Sequence, residues 1–408
     1  MVRTRLTTGG LAEPVVADTA KSLSKMGHRV ILLAWDRNNR GEETVSTDWG
    51  TIWKYQKECS LNSPLTFARM LPGFLRWSTW QILAFQKIEN DIILHYHDLD
   101  TLLGGVFTSK LSELPLVYDC HENYPGLVKG AISSGGAKLL HRLEARLLKY
   151  CSGIMAAGPA GYVRLNDMLN IGPNAPFTAT EDEAFKALSK PQSEFLNSRI
   201  TRVGNAKRLD VYPISRIEKR KRKEIFRLLY IGVLEKHPSR GILETAITVS
   251  KMKGIRFDIA GFGTLVPTIK KVCEKIDNVN YIGSIHPDNV PLQTIDSDAV
   301  LMALDPSNDN NRMSTPNKLF EAMSAGVPII TCKELLMGQF IENEEIGLVF
   351  EWGKWDRLKA CLMKLMYDEE LQEKMGKRAR RLAEKTHNWE KCEERVESLY
   401  RYVKINAN

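Results

Sequence analysis

Three polar side chains lie close together in the segment 314–331, which reads STPNKLFEAMSAGVPIIT and has the pattern of a helix followed by a strand. Glu321 comes three positions after Lys318 and four after Asn317, so the three side chains share one face of the helix. The start of a helix presents unpaired amides and the positive end of its dipole, which favours phosphate. Lys318 adds a positive charge, and Glu321 is placed to accept hydrogen bonds from two sugar hydroxyls. The pattern predicts a nucleotide site, although an exposed Lys–Glu pair has the same spacing.

The start of this helix supplies further binding groups. Pro316 suits the first helical position, where its missing N–H is not needed, and Thr315 is then the expected N-cap. Gly326 is expected to end the helix. We assign Ser314, Thr315 and Asn317 to the binding of the nucleotide, together with the helix amides.

The composition is that of an ordinary globular protein with a basic excess. The chain has 408 residues, 43% hydrophobic and 26% charged, and its net charge is +8. No apolar run reaches the roughly 18 residues that a membrane-spanning helix needs, and the first residues lack the apolar stretch of a secretory signal. Seven scattered cysteines, none in a C-x-x-C pair, indicate neither a zinc site nor a disulfide framework. We therefore expect a cytoplasmic protein.

Strands and helices alternate along both halves of the chain. Strands are predicted at 28–35, 91–97, 114–122, 152–159, 226–234, 255–263, 278–285, 298–305, 327–331 and 347–352. Helices between the strands argue for parallel sheets that are covered on both faces. The alternation of strands and helices is interrupted at 165–202, which is predicted to be an extended loop with one weak helix near 181–189.

The predicted fold class is α/β, with two Rossmann-like doubly wound domains that face a central cleft. The first domain is predicted at 1–210 and the second at 211–385, and a helix at 386–408 is expected to pack back toward the first domain. Ligands of such folds bind at the carboxyl ends of the strands.

Several segments of the chain, taken in order, resemble the GT-B glycosyltransferases of family 4, also called group 1. The opening 9–35 is similar to the family's glycine loop, helix and G-H-x-V strand, and "VYDCHENYP" is similar to a strand end that bears a histidine. "YIGVL", "IAGFG" and "NVNYIGSI" resemble the first three strands of its C-terminal domain, and 314–331 resembles its donor-nucleotide segment. The order and spacing of these segments hold from residue 9 to residue 331.

The resemblance implies a nucleotide-sugar donor in the C-terminal domain and an acceptor in the N-terminal domain. A glycosyl group would move with retention of its anomeric configuration, and the main chemical demand is the negative charge that grows on the departing diphosphate. The catalytic residues implied by the resemblance are His121, Arg240, Lys318 and Glu321. The glycines implied beside the donor are Gly9, Gly10, Gly232 and Gly261. Neither a metal ion nor another cofactor is expected.

Some positions depart from the family pattern. Met313 stands where many members carry the first glutamate of a Glu-x7-Glu pair, eight residues before Glu321. Val233 replaces an arginine of the first turn, while Arg240 takes the position of a lysine and is a sound phosphate ligand by charge and geometry. Lys236 is the cation that could compensate for Val233, unless it is merely exposed. The first strand also looks short.

Histidines and carboxylates end two predicted strands of the first half. The segment 95–100 reads HYHDLD, and its D-x-D motif binds metals in glycosyltransferases of the other main fold, GT-A. At this position we interpret it as substrate-side or structural. His121 is expected to hydrogen-bond the transferred sugar, with a structural histidine as the alternative. Asp119 and Glu122 flank it but lack a third clear metal ligand.

The predicted acceptor half also carries aromatic and basic residues. The segment 67–88 mixes aromatic with basic side chains, and 138–149 is a basic helical pattern. Such helices suit a membrane interface, with core packing as the alternative. We predict peripheral contact with an anionic membrane and an acceptor that is a glycan or a lipid-linked sugar. The basic run 216–227 comes with no nucleic-acid-binding motif, so nucleic acid is not expected as a partner.

Two other functions stay open at this point. A GT-B-type nucleotide-sugar epimerase would share the nucleotide contacts but would need acid–base carboxylates over the sugar, and no clear pair is seen. A degenerate, non-catalytic sugar-nucleotide binder would agree with Met313, Val233 and the short first strand. Hydrolysis of a nucleotide-sugar would distinguish a catalyst from a binder.

Overall fold

The computed structural model divides the chain into two compact units. It describes residues 1–6, 10–38, 41–59, 64–123, 133–176, 179–188, 190–218, 224–236, 239–307 and 309–406. Unit 1 comprises Met1–Gly204 and Cys392–Asn408, and unit 2 comprises Asn205–Lys391. No helix within the described ranges is both long enough and apolar enough to cross a membrane.

The described part of unit 1 is built on one eight-stranded sheet. Its strands are β1 (Val2–Arg3), β2 (Val30–Asp36), β3 (Thr44–Ser46), β4 (Gly50–Gln56), β5 (Leu94–His97), β6 (Leu116–Cys120), β7 (Gly153–Ala156) and β8 (Ile200–Arg202). The strand order is β3-β4-β2-β1-β5-β6-β7-β8, and only the β3–β4 pair is antiparallel. β1 has two residues, so the prediction of a short first strand is confirmed.

Unit 2 contains a six-stranded sheet in which every described pair of neighbours is parallel. Its strands are β9 (Phe226–Val233), β10 (Ile255–Phe262), β11 (Val279–Tyr281), β12 (Ala299–Met302), β13 (Ile329–Cys332) and β14 (Gly347–Phe350). Their order is β11-β10-β9-β12-β13-β14. Each lies inside or across a predicted strand, because continuous apolar runs between helices are a strong signal for buried parallel strands.

Helices connect the strands of both sheets. Those of unit 1 are α1 (Pro14–Lys25), α2 (Pro64–Gln86), α3 (Asp98–Ser112), α4 (Ser134–Leu148), α5 (Pro159–Ile171) and α6 (Glu181–Leu188). Those of unit 2 are α7 (Ile214–Glu218), α8 (Ile242–Val249), α9 (Val266–Cys273), α10 (Val290–Ile295), α11 (Asp309–Met313), α12 (Asn317–Ala325), α13 (Leu336–Asn343), α14 (Trp355–Tyr367) and α15 (Glu369–Lys385). The last helix, α16 (Trp389–Asn406), lies mostly in unit 1.

Both sheets reverse their strand order beside their first strand. In unit 1 the chain passes from β1 outward to β2 and β4, and then returns to pair β5 with the other side of β1. In unit 2 the same reversal places β12 next to β9. Ligands of open α/β sheets bind at the carboxyl ends of the strands at such a point. The loops after β5, β9 and β12 are therefore the places where binding residues are expected.

The segment 165–202 is not an extended loop, so that part of the prediction is wrong, whereas the predicted helix near 181–189 is confirmed. It contains the second half of α5, all of α6 and the edge strand β8. α6 begins with a capping box, because the Thr180 backbone N–H donates to the Glu183 carboxylate at 2.8 Å while the Glu183 N–H donates to the Thr180 hydroxyl. β8 has only three residues, which is too short to show a periodic pattern. The strands β3 and β4 were missed for a similar reason, since 44–56 mixes polar and apolar residues.

Candidate active site

The donor segment of unit 2 lies at the reversal point between β9 and β12. Lys318, in the first turn of α12, is 9% exposed and extends toward the end of β9. Its Nζ lies 4.3 Å from the ring centroid of Tyr230 and so close to Gly232 that a Cβ there would stand 2.5 Å from it. A side chain at position 232 would displace the ammonium, so Gly232 and Lys318 belong to one site.

Lys318 has an unusual electrostatic environment for a lysine. Burial and, to a smaller extent, the neighbouring Arg240 lower its pKa to about 8, against the opposing effect of Glu321. Among the described residues, no carboxylate lies within the 4 Å of an ion pair from either Lys318 or Arg240. Two adjacent cations without a direct counter-ion are costly to the fold unless an anion binds between them. The arrangement fits a phosphate or diphosphate.

Arg240 is positioned by the turn that starts α8. The Ser239 carbonyl accepts from the Asp305 N–H at 3.0 Å, which ties this turn to the loop after β12. Gly241 adopts φ 62°, and a Cβ on it would lie 2.9 Å from the Trp355 ring. The Arg240 Nε is buried without a hydrogen-bond partner. The guanidinium therefore retains donor capacity for a ligand, whereas Lys236 in the same connection is exposed.

Glu321 and Asn317 share a partner that the sequence pattern did not indicate. Lys207 Nζ donates to the Asn317 Oδ1 at 2.8 Å and lies 3.4 Å from the Glu321 carboxylate. Asn205 donates to the Thr315 carbonyl at 2.9 Å. Both come from the segment that opens unit 2, more than a hundred positions before α12. No local motif marks them, so only the tertiary structure could identify them.

The predicted cap of α12 is wrong by one residue. Pro316, with φ −65° and ψ 147°, is the N-cap, and Asn317 is the first helical residue. The Thr315 side chain therefore does not cap the helix. The Ser314 hydroxyl donates to the Asn311 carbonyl at 3.0 Å, which folds the preceding turn onto α11. Gly326 ends the helix with φ 63°, as expected.

Gly261 lies beside Gly232 on the neighbouring strand. The two are register partners in the β9–β10 pair. A Cβ on Gly261 would collide with the Gly232 carbonyl oxygen. Gly261 therefore shapes the strand end next to Lys318, although none of its contacts identifies it as a ligand.

His121 of unit 1 lies at the carboxyl end of β6, next to the end of β5. Its backbone N–H donates to Asp98 Oδ1 at 2.9 Å. Asp98, the first residue of α3, has φ 61°, a backbone conformation that non-glycine residues seldom adopt and that concentrates at functional sites. Arg3 at the end of β1 donates to Asp98 Oδ2 at 2.6 Å and also pairs with Glu13. The three central strands are thus tied together where they end.

Three histidines surround one oxygen of Asp119. Asp119 Oδ2 lies 3.3 Å from His95 Nε2, 3.1 Å from His97 Nδ1 and 3.1 Å from His121 Nε2. His95 Nδ1 in turn lies 2.7 Å from the Tyr400 hydroxyl of α16. All four cluster residues project from one face of the β5–β6 pair, because paired and alternate positions of parallel strands share a face.

The protonation of this cluster is uneven. Burial lowers the pKa of His95, and burial together with His95 lowers the pKa of His97 well below its usual range. Burial alone would also lower the pKa of His121, but the Asp119 carboxylate outweighs it, so the pKa of His121 is raised. Burial favours a neutral Asp119, yet His121 and the other rings hold its pKa well below the usual value. The cluster is best described as an ionised Asp119 paired with a protonated His121.

His95, His97 and Asp119 also satisfy the spacing of a metal site, with three ligand atoms within 4.8 Å of one another. The sequence supplied no third ligand beside Asp119 and Glu122, because the two histidines lie on a different strand. One Asp119 oxygen lies within 3.3 Å of a nitrogen of all three rings, while His97 Nε2 is buried without a hydrogen-bond partner among the described residues. We treat the cluster as a hydrogen-bonded network that orients His121.

The glycine loop after β1 is described only in part. Gly9 lies outside the described residues. Gly10 adopts φ 72°, and a Cβ on it would stand 3.0 Å from Lys54 Nζ. Nearby, the Asp100 carboxylate accepts from the Thr4 hydroxyl at 2.5 Å, and burial with the charge of Asp98 raises the pKa of Asp100 to about 6.

One cavity of unit 1 lies away from these residues. Its volume is about 850 Å³, and Met1, Val30 and Leu94 line it. These residues stand at the amino ends of β1, β2 and β5, opposite the carboxyl ends where His121 lies. The cavity is therefore not the candidate active site.

Comparison with family models identifies both halves of the chain. The model described as "Glycosyl transferases group 1" matches residues 213–382, and the model described as "Glycosyltransferase Family 4" matches residues 8–174. The chain belongs to the group 1, family 4 glycosyltransferases. The resemblance drawn from the sequence segments is thereby confirmed. No curated protein matched this glycosyltransferase by sequence.

Solved structures of glycosyltransferases share the fold of this glycosyltransferase. Sucrose-phosphate synthase from Thermosynechococcus elongatus has a TM-score of 0.68 at 14% identity, covering 96% of this chain and 92% of that one. A glycosyltransferase from Rickettsia africae has a TM-score of 0.64 at 13% identity, covering 99% and 98%. HepE from Anabaena, solved with UDP, has a TM-score of 0.61 at 13% identity, covering 99% and 98%. These likenesses confirm the predicted GT-B fold.

Proposed function

We propose that this protein is a retaining glycosyltransferase that moves a sugar from a nucleotide-sugar to a glycan or a lipid-linked acceptor. One observation carries the proposal. Lys318, at the end of β9, and Arg240 lie close enough to repel each other, and neither has a carboxylate at ion-pair distance among the described residues. Retention of configuration is taken from the family and not from any group in the site.

The two cations would stabilise the departing diphosphate. Negative charge grows on the leaving group as the glycosidic bond breaks, and fixed donors aimed at it lower the barrier. Lys318 supplies a point charge, Arg240 supplies a planar donor fork, and the first amides of α12 supply a positive dipole end. Because these groups together balance a diphosphate, we propose that transfer proceeds without a metal ion or another cofactor.

Glu321 is proposed to hold the ribose of the donor. Its side chain is 16% exposed and stands one turn beyond the first residue of α12. Lys207 fixes the carboxylate from one side and leaves it able to accept hydrogen bonds from two hydroxyls. Ser314, Thr315 and Asn317 would complete this end of the site.

His121 is proposed to hydrogen-bond the transferred sugar from unit 1. It is the residue of the Asp119 cluster with the most exposed side chain, at 11%. Its raised pKa makes it a donor over a wide range, which suits a hydroxyl or a developing oxyanion. The other cluster residues would orient it without touching the sugar.

Structural relatives suggest the donors to try first. HepE was solved with UDP and with UDP-glucose, and a starch synthase IV from Arabidopsis thaliana was solved with ADP and acarbose. WaaG, another structural relative, is described as involved in lipopolysaccharide biosynthesis. We propose a cytoplasmic protein that uses a nucleotide-sugar of this kind and reaches its acceptor by peripheral contact with an anionic membrane.

A thermal-shift screen over UDP-, GDP- and ADP-sugars, followed by a hydrolysis assay, tests the function. A selective donor should raise the melting temperature by linkage and should be hydrolysed slowly without acceptor. Lys318→Met and Arg240→Ala should each lower kcat by about 10- to 1000-fold, as loss of an oxyanion donor does. Lys236→Ala is the matched control, because this exposed cation belongs to the same connection and should leave kcat unchanged.

The same assay separates the two alternatives. An epimerase would convert the nucleotide-sugar to its isomer without releasing nucleotide. A non-catalytic binder would show the thermal shift with neither product. Normal turnover of both the Lys318 and Arg240 variants would overturn the proposed role of the cation pair.

A further inference from the structure

The outer face of α3 is apolar where a solvent-facing helix would normally be polar. Leu103, Phe107 and Leu111 follow one another at four-residue intervals, and each side chain is more than half exposed. The opposite side of α3 is buried against the sheet. Trp80 on α2 and Leu139 on α4 are also more than half exposed. A stripe of this kind on a soluble protein marks an interaction site.

The neighbouring helices continue this face on both sides. α2, α3 and α4 follow strands that advance in one direction across the sheet, from β4 to β7, so right-handed connections place all three on the same side. α2 and α3 are joined by a hydrogen bond of 2.8 Å between the Thr79 and Thr108 hydroxyls. We call the outer faces of α2, α3 and α4 the three-helix surface.

Exposed cations flank the apolar stripe. On or directly after α2 they are Arg69, Arg76 and Lys87, and on or directly after α4 they are Lys138, Arg142, Arg146 and Lys149. At a turn of 100° per residue, each set falls on one side of its helix. Of the acidic residues on these helices, Asp98 and Glu144 are buried and Asp100 is half-buried, whereas Glu113, directly after α3, is exposed.

Most aromatic side chains of the segment 67–88 are buried in the core and do not belong to the three-helix surface. Phe74 is fully buried, and Phe67 and Phe74 stack on Trp35 at centroid distances of 5.6 and 5.8 Å. The aromatic residues of 67–88 therefore mostly serve the core, and Trp80 is the exception. At the other edge, Tyr150 is exposed with Lys110 Nζ 4.0 Å from its ring centroid.

The geometry points to an anionic lipid bilayer as the partner of the three-helix surface. The apolar stripe and Trp80 would enter the headgroup region, while cations on both sides would contact anionic headgroups. Charge complementarity favours this partner over a second copy of the chain, whose equally basic surface would repel it. The docking does not depend on catalysis, but its bearing on a lipid-linked acceptor rests on the proposed glycosyl transfer.

Vesicle co-sedimentation of the full chain, without donor or acceptor, tests the docking. The protein should bind phosphatidylcholine vesicles that contain phosphatidylglycerol and should bind pure phosphatidylcholine vesicles much more weakly. Binding should fall at high salt, because charges are screened over about 8–10 Å at physiological ionic strength and about 3 Å at 1 M. Equal binding to both kinds of vesicle, or none to either, would overturn the proposal.

Two variants identify the surface. Lys138→Glu/Arg142→Glu/Arg146→Glu should weaken binding by at least about 100-fold, since each cation near an anionic surface contributes about fivefold. Leu103→Ser/Phe107→Ser/Leu111→Ser should weaken it by at least about 10-fold without changing the salt dependence. Their controls are Lys359→Glu/Lys364→Glu/Lys374→Glu and Ile247→Ser/Tyr367→Ser, which alter exposed residues of unit 2 and should bind as the wild type does.

Folding and self-association are measured on the same samples. Circular dichroism and the melting temperature should show that each variant is folded, since the substituted side chains are exposed. Static light scattering should show a monomer for both the wild type and the apolar variant. A wild-type dimer that the Leu103/Phe107/Leu111 substitutions dissociate would assign the stripe to a second copy and overturn the lipid proposal.

Discussion

At the scale of single residues, Lys318 makes donor binding depend on pH. Burial and Arg240 lower its pKa to about 8, so its charge is lost as the pH rises through that value. The affinity for a nucleotide-sugar should therefore fall between pH 7 and pH 9, as calorimetric titration would measure. Lys318→Arg should bind equally across this range, because a guanidinium does not deprotonate there. An unchanged wild-type affinity at pH 9 would mean that Lys318 does not contact the diphosphate.

Glu321 should discriminate the ribose of the donor. Glu321→Ala should weaken binding of the nucleotide by about 10- to 100-fold, as expected for lost hydrogen bonds to a charged group. The melting temperature should change little, because the side chain lies at the edge of the site. A 2′,3′-dideoxy nucleotide should bind both proteins alike, since it lacks the hydroxyls that the carboxylate accepts from. If the variant loses affinity for both nucleotides equally, Glu321 acts through Lys207 instead.

Asp119 should set the protonation of His121. The carboxylate raises the pKa of His121 above 6.5 against the effect of burial. Its contribution to stability is therefore full below about pH 6.5 and is lost as the pH rises through the raised pKa. In Asp119→Asn, burial remains, and the pKa of His121 should fall below 6.5. A titration of imidazole Cε1–H resonances measures it, with His141 as an internal reference that should not move.

At the scale of elements, the contact between β7 and α16 depends on a glycine. A Cβ on Gly153 would lie 2.8 Å from Val403 Cγ2 and 3.1 Å from Leu399 Cδ1. Both side chains are fully buried, so Gly153→Ala should destabilise unit 1 by about 1–3 kcal/mol through overpacking. Thermal unfolding measures the change. The control is Gly135→Ala, where only the Ser133 hydroxyl lies near; a loss of stability as large as that at Gly153 would argue against packing as the cause.

At the scale of the whole molecule, two units with separate cores should unfold in separable transitions. A nucleotide-sugar at 100 times its Kd should stabilise unit 2 by about 2.7 kcal/mol. Differential scanning calorimetry should therefore show one transition that moves with donor and one that does not. Deleting residues 392–408 should lower the other transition, because Leu399, Tyr400 and Val403 are buried in unit 1. A single transition that moves as a whole would contradict this prediction.

Local sequence patterns were enough to predict the alternation of strands and helices, the six strands of unit 2 and the helix that carries Lys318 and Glu321. These features are local, because each depends on a short stretch of sequence. The signals are apolar runs, the positions of glycine and proline, and a spacing of three or four residues. The predicted N-cap, Thr315, was wrong by one residue, because proline is acceptable both as the N-cap and as the first helical residue.

Contacts between residues that are distant in the sequence could not be predicted from these local patterns. Lys207 pairs with Glu321, which lies more than a hundred positions later in the sequence. Asp119 contacts histidines from the ends of two strands, and one of these, His95, contacts Tyr400 of the last helix. The aromatic residues of 67–88 pack on Trp35, while α3 leaves leucines and a phenylalanine exposed. The spacing of apolar residues predicts which face of a helix or strand is apolar. Whether that face is buried depends on the elements that pack against it. Contacts between distant segments produce no periodic pattern in the sequence.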